Sequence, residues 1–202
     1  MSTRLPEHRL CVYCGSSPGK NPEFMATAQA FGTTMARAGF GLVYGGGSIG
    51  LMGEVARAVL AAGGHVTGII PEFLVKKERM LDGVNELIVT RSMHERKHLM
   101  FEKSTGFVAL PGGIGTLEEL AEITTWAQLN QHAKPVIIVD VAGYWEHLLK
   151  LLDHMRAEGF IRADAEVFLD VAKTIDDVIP LYRQRLSTAR QKVPLAAIKQ
   201  QL

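Results

Sequence analysis

Short apolar runs alternate with helical patterns along almost the whole of this chain, and that alternation restricts the fold more than any other feature. Strand-like runs fall near Leu10–Cys14, Gly41–Tyr44, His65–Ile70, Glu86–Thr90, Phe107–Leu110, Val136–Asp140 and Val167–Leu169. Helical patterns lie between and after them, over Pro22–Ala38, Leu51–Ala62, Met93–Lys103, Leu117–Leu129, Tyr144–Glu158 and Ile175–Leu186. Regular strand–helix alternation builds parallel strand pairs joined by crossover helices. A near-continuous apolar strand such as Pro135-Val136-Ile137-Ile138-Val139 is one buried on both faces. The expected architecture is an α/β fold, a doubly wound parallel sheet of about seven strands with helices on both faces. Gly39, Gly63 and Gly159 sit where helices should stop.

With 202 residues and 47% hydrophobic content, the chain suits a single domain spanning residues 1–202. Its last stretch, 183–202, carries basic residues and no acid, and reads as a loosely attached tail. A net charge of +1 offers no bulk argument for nucleic acid or a membrane surface, and neither is expected as a partner. No apolar run approaches membrane-spanning length, and Met1 to Arg9 lacks the apolar stretch of a signal peptide, so the expected location is cytoplasmic. Cys11 and Cys14 have C-x-x-C spacing but lie in or at the end of a strand, where residues three apart point to opposite faces. Buried reduced thiols are the expectation.

Three glycine-bearing loops follow strand-like runs. Pro111-Gly112-Gly113-Ile114-Gly115-Thr116-Leu117-Glu118-Glu119 stands between the Phe107 run and a helical pattern read from Leu117. Free backbone N–H groups and a positive helix end meet there, which makes an anion site, most often for phosphate. On that reading Glu118 and Glu119 occupy the first helical turn, where the helix dipole alone favours acids. Gly45, Gly47 and Gly50 fit G-x-G-x-x-G between a strand and a helix. Gly15-Ser16-Ser17 ends the first apolar run. Together the loops point to one crevice at the carboxyl edge of a parallel sheet.

Met93-His94-Glu95-Arg96-Lys97-His98 matches the H-E-x-x-H zinc signature. However, Arg96 and Lys97 would set two cations beside a dication, and no third ligand is apparent downstream. No metal is therefore expected. The same cations suit phosphate or ribose oxygens, Arg96 as a planar fork and Lys97 as a point charge.

Gly15-Ser16-Ser17, Tyr44-Gly45-Gly46-Gly47-Ser48-Ile49-Gly50-Leu51-Met52-Gly53, Met93 to Lys97 and Pro111 to Glu119 together resemble the LOG ("Lonely Guy") family. Its members are cytokinin riboside 5'-monophosphate phosphoribohydrolases, often mislabelled as lysine decarboxylases. The resemblance covers roughly Arg9 to Leu186. It implies a Rossmann-like fold and a homodimer with the active site near the subunit interface. The implied reaction is N-glycosidic cleavage of an adenosine 5'-monophosphate, N6-modified or plain, giving free cytokinin or adenine and ribose 5-phosphate without a cofactor. By position, the family's last motif Glu is Glu119 and its R-K pair is Arg96 and Lys97. An upstream substrate-contacting Glu falls on Glu78, and a Thr before a Trp falls on Thr125. His98 stands where a small or apolar residue is expected.

Glycosidic cleavage develops positive, oxocarbenium-like charge on the ribose, which a nearby carboxylate stabilises while taking a proton from attacking water. Glu119 is the expected carboxylate, and Arg96 is expected to position it or the ribose. Gly15, Ser16, Gly46, Gly47, Glu78, Met93, Lys97, Gly112, Gly113, Gly115, Thr116, Glu118 and Thr125 are the expected substrate contacts. Two alternatives remain. A nucleotide-binding or carrier protein would use the same loops without hydrolysis. An NAD(P)-dependent oxidoreductase would want an acid about 20 residues beyond Gly45, for which Glu72 is a late, proline-displaced candidate.

Overall fold

The computed structural model describes residues 5–75, 80–161 and 169–192. The strands are β1 (Arg9–Tyr13), β2 (Gly41–Tyr44), β3 (Val66–Pro71), β4 (Glu86–Thr90), β5 (Gly106–Ala109), β6 (Val136–Val139) and β7 (Asp170–Ala172). The helices are α1 (Pro22–Arg37), α2 (Gly50–Ala61), α3 (Glu72–Val75), α4 (Met93–Glu102), α5 (Ile114–Gln128), α6 (Glu146–Ala157) and α7 (Val178–Lys192). All seven strands join one sheet in the order β4-β3-β2-β1-β5-β6-β7, and every pair is parallel.

The order steps outward from β1 to β4 on one side and from β5 to β7 on the other. The loops leaving β1 and β5 therefore diverge to opposite faces and leave a crevice between the carboxyl ends of those strands. On one face Phe31 and Met35 of α1, Leu51, Val55 and Val59 of α2, and Val178 and Tyr182 of α7 pack on Leu10, Val12 and Leu42. On the other, Met100 of α4, Leu120 and Ile123 of α5, and Trp145 pack on Cys11, Tyr13, Val43 and Phe107. The two cysteines thus contribute to opposite layers. Both are free and buried, and burial drives both thiols well above the usual range.

Local signals account for the helix ends. The Asn21 side chain accepts from the Glu23 N–H at 3.0 Å and Pro22 takes the first helical position, so α1 starts there. Gly39, Gly63 and Gly159 follow the caps of α1, α2 and α6 with φ of 81°, 76° and 79°, the left-handed stop that a side chain resists.

Parts of the fold differ from expectation. The last strand is Asp170–Ala172, not Val167–Leu169; residues 167 and 168 lie outside the described residues. The pattern missed it because it begins with an acid, which Arg185 of α7 neutralises through two bonds of 2.6 Å. The helix read as ending at Leu186 continues to Lys192, so 183–192 are helical. Coverage of the sheet is also incomplete at the β4 edge, where Leu87 and Val89 are exposed.

Helices α1 and α2 approach each other closely at Gly32, where an added Cβ would lie 2.5 Å from the Val55 carbonyl oxygen and 2.8 Å from the Ala58 Cβ. Gly32→Ala is expected to cost about 1–3 kcal/mol through overpacking. Thermal unfolding should show a Tm lowered by several degrees, and an unchanged Tm would mean that the two helices slide apart freely.

Candidate active site

The three loops interlock through their backbones. The Gly15 N–H donates to the Pro111 carbonyl at 3.0 Å, and the Gly15 carbonyl accepts from the Met52 N–H at 3.3 Å. A Cβ on Gly112 would sit 2.1 Å from Thr116 Oγ1 and 2.8 Å from the Gly15 nitrogen. At Gly50, whose φ is +64°, it would meet the Ser16–Ser17 peptide at 2.4 Å. Glycine is required at those positions because the backbones nearly touch. The opposite side of the motif is open: a Cβ on Gly113 or Gly115 would meet nothing within 4 Å.

Helix α5 begins at Ile114, three residues before the expected start, because an extended Gly113 serves as its N-cap. Gly113 supplies no side-chain cap, and the first intrahelical bond runs from the Leu117 N–H to the Gly113 carbonyl at 3.1 Å. The N–H groups of Ile114, Gly115 and Thr116 consequently have no acceptor within the helix. Helix α2 likewise starts without a side-chain cap, at Ile49. The earlier start moves Glu118 and Glu119 out of the first turn, so the helix dipole, which fades within that turn, does not explain them.

Arg96 reaches the crevice from α4, whose start is fixed by the Ser92 hydroxyl accepting from the Glu95 N–H at 3.2 Å. The guanidinium is buried. Its Nε donates to the Ile69 carbonyl at 3.2 Å, Nη1 lies 3.8 Å from Met93 Sδ, and Nη2 lies 3.9 Å from Glu119 Oε1. Gly45 makes the room, since a Cβ there would come within 2.2 Å of Nη2. The Glu119 side chain is only 11% exposed. Burial pushes its carboxyl up to about 7; Arg96 pulls the other way, and Glu118 adds to the rise. Glu119 lies close enough to the end of β1 that its charge adds to the burial already raising Cys14 and Tyr13.

Glu118 turns outward, half exposed, and is held by Lys97 Nζ at 2.6 Å, with Glu122 at 3.0 Å on the same ammonium. Burial of Lys97 works against its charge, but the two carboxylates outweigh it and hold the amine above its usual range. Gly46, with φ of 83°, and Gly47 lie buried in the β2–α2 loop, while Ser16 is exposed. Thr125 stands on the exposed side of α5, about 9 Å along the axis from Glu119. Its hydroxyl donates to the Ala121 carbonyl at 2.7 Å. Glu78 lies outside the described residues.

His94 and His98 are exposed, and His98 pairs with Glu102 at 3.2 Å. Among the described residues no three metal-ligating side chains gather at one point. Sequence reasoning missed Glu122, the Ile69 carbonyl and Tyr144, whose hydroxyl donates to the Gly112 carbonyl. Tyr144 follows β6, the neighbour of β5, and that place at the same sheet edge was the available signal.

Over residues 52–181 the chain matches the family model described as "possible lysine decarboxylase". A probable cytokinin riboside 5'-monophosphate phosphoribohydrolase of Oryza sativa subsp. japonica is 52% identical over 153 residues, 76% of this chain and 67% of that relative. A cytokinin riboside 5'-monophosphate phosphoribohydrolase of Arabidopsis thaliana is 46% identical over 171 residues, 85% of this chain and 80% of that relative. Among solved structures, the molybdenum cofactor carrier protein of Chlamydomonas reinhardtii is similar, with a TM-score of 0.66 and 25% identity over 91% of this chain and 99% of that one. The chain belongs to the family whose model is described as possible lysine decarboxylase and whose curated members are the LOG phosphoribohydrolases.

Proposed function

We propose that this protein hydrolyses the N-glycosidic bond of an adenosine 5'-monophosphate, plain or N6-substituted, to free base and ribose 5-phosphate. One observation carries the reading: a buried carboxyl and a buried guanidinium, Glu119 and Arg96, stand beside glycine loops with unclaimed helix N–H groups. The relatives that share this chain's sequence over most of its length carry the same activity in their names.

The 5'-phosphate binds the N–H groups at the start of α5, which fixes the ribose relative to Glu119. As the bond between C1' and the base nitrogen lengthens, positive charge grows on the sugar, and ionised Glu119 stabilises it. The same carboxylate accepts a proton from the water whose oxygen bonds to C1', and the base leaves with the electron pair of the broken bond. A carboxyl with its pKa near 7 is partly ionised at neutral pH and still basic enough for that transfer. Arg96 orients Glu119 and keeps a fraction of it charged. Lys97, clasped by Glu118 and Glu122, ties α4 to α5 and holds the pair in register.

The oxidoreductase alternative loses its fingerprint, since Gly45 is needed to accommodate Arg96 and Gly47 pairs with Met80. Binding without hydrolysis is the second reading, favoured by the fold shared with the molybdenum cofactor carrier protein. We also propose a homodimer. Phe73, Leu87 and Val89 are exposed near the β4 edge, and α6 buries none of its residues within the protomer although Leu151 and Met155 lie on it.

Chromatography of the products should show 5'-AMP or its N6-substituted forms cleaved and the matching nucleosides left nearly untouched. Equal rates on AMP and adenosine would remove the phosphate anchor, and tight binding of unconverted AMP would favour the carrier reading.

Glu119→Gln should lower base release at least ~100-fold, the scale of losing a central base or electrostatic group. Arg96→Ala should be similarly damaging, whereas His98→Ala and exhaustive EDTA treatment should change little. The raised Glu119 pKa also has a signature in stability. From the ordinary 4.5 up to about 7 the folded protein keeps a proton that the unfolded chain releases, so stability falls as pH rises through that window. The Tm of Glu119→Gln relative to wild type should therefore climb between pH 5 and pH 8; a pH-independent difference would mean that Glu119 titrates normally.

Sedimentation equilibrium should give twice the chain mass; Leu87→Asp should halve it if the β4 edge is the contact, and Leu151→Asp should halve it if α6 is. A wild-type mass of one chain would reject the dimer.

A further inference from the structure

We propose that Tyr144 is a positioning residue for the substrate phosphate, acting by holding the Gly112–Gly113 peptide in one orientation; this rests on the reading of the α5 loop as the phosphate anchor. The Tyr144 hydroxyl donates to the Gly112 carbonyl. No peptide among the described residues is cis. In a trans peptide the carbonyl of one residue and the N–H of the next point in opposite directions. Fixing the Gly112 carbonyl therefore aims the Gly113 N–H, which belongs to the N-cap residue at the mouth of the anion site.

The tether matters because of the residues it joins. A peptide between two glycines has no Cβ on either side to resist rotation, so it reorients more readily than any other. Gly112 must be glycine because Thr116 Oγ1 and the Gly15 nitrogen leave no space for a Cβ, and Gly113 borders open space. The contacts that make room for the loop also remove its stiffness, and Tyr144 restores it from outside.

The backbone that delivers Tyr144 is unusual. It leaves a 3-10 turn, Val141–Gly143, in which Ala142 and Gly143 both have positive φ, 51° and 71°. A left-handed alanine costs roughly 1 kcal/mol or more, a strain that persists only where the surroundings impose it. The ring is held edge-on by Phe24, with centroids 5.5 Å apart, and by Trp145 at 5.0 Å. It closes one wall of a cavity of about 290 Å³ that Gly15, Ser16, Ser17, Gly112 and Gly113 also line. The phenol thus faces the space that the phosphate occupies.

Tyr144→Phe removes the hydroxyl and keeps both ring contacts. Loss of one hydrogen bond that orients a donor should raise KM for 5'-AMP about 3- to 10-fold with kcat within about twofold, since the phosphate is held alike in ground and transition states. The dissociation constant of ribose 5-phosphate should rise by the same factor, while the slow cleavage of adenosine, measured at high enzyme concentration, should not change. An equal loss on AMP and adenosine would show a merely structural tyrosine and overturn the proposal. So would an unchanged KM together with unchanged ribose 5-phosphate affinity. Calorimetry of ribose 5-phosphate binding at 10 °C keeps the test decisive even if the variant melts early. The underlying anchor is judged separately, on the wild type alone: it fails if wild-type enzyme treats AMP and adenosine alike, whatever Tyr144→Phe does.

Discussion

The close approach of the β1 and β5 loops is the contact on which the rest of this site depends. Neighbouring parallel strands bring their carboxyl ends about 5 Å apart, and the reversal of strand order there sends the following helices to opposite faces. In this chain the two loops do not merely border the gap; the Gly15 N–H is bonded to the Pro111 carbonyl across it. That bond brings Gly112 against Gly15 so tightly that neither Thr116 nor the backbone leaves room for a methyl group. Helix α5 starts where it does because the loop is pinned, and Glu119 enters the crevice because α5 starts there.

The electrostatics follow from that placement. Ionising a carboxyl inside a packed sheet edge is unfavourable, and a guanidinium at hydrogen-bond distance would normally cancel the penalty and keep the group acidic. Here Nη2 stands 3.9 Å from Oε1, too far for a direct hydrogen bond, while Nε is committed to the Ile69 carbonyl. Attraction is therefore present but incomplete, and burial wins, leaving the carboxyl near 7. A closer pair would give a structural ion pair with a silent carboxylate. A more distant one would leave Glu119 protonated at neutral pH. Gly45 leaves room for the guanidinium, and the Lys97 clasp joins the two helices that carry the pair.

Much of this was legible in the sequence because the signals are local. Short runs rich in β-branched and apolar residues located β2 and β4 to the residue, and Gly39, Gly63 and Gly159 marked helix ends through the one conformation that favours glycine. What failed to show depended on a backbone conformation or on a partner further along the chain. Helix α5 was read three residues late because Ile114-Gly115-Thr116 resembles a loop until Gly113 is seen to be extended and serving as a cap. Strand β7 was misplaced because Asp170 breaks an apolar pattern that Arg185, far along the chain, repairs. The purpose of Gly45 was likewise hidden. The G-x-G-x-x-G pattern suggests a backbone approaching a pyrophosphate, but at Gly45 the approaching group is the protein's own guanidinium.

The fold shared with a cofactor carrier sharpens what separates holding a ligand from cutting it. A doubly wound sheet with a glycine loop and an uncapped helix supplies an anion site to any chain that adopts it, so those features cannot by themselves distinguish a binder from a hydrolase. Hydrolysis adds a requirement that binding does not share, a carboxylate near the sugar that remains basic while shielded from solvent. Shielding raises the cost of charge, and a counter-ion placed too close removes the basicity, so the two demands conflict unless the counter-ion is itself immobile. Arg96 suits that condition: it is buried, anchored by the Ile69 carbonyl through Nε and seated against Gly45. The spacing of these two side chains, more than the glycine loops, is the physical argument for catalysis.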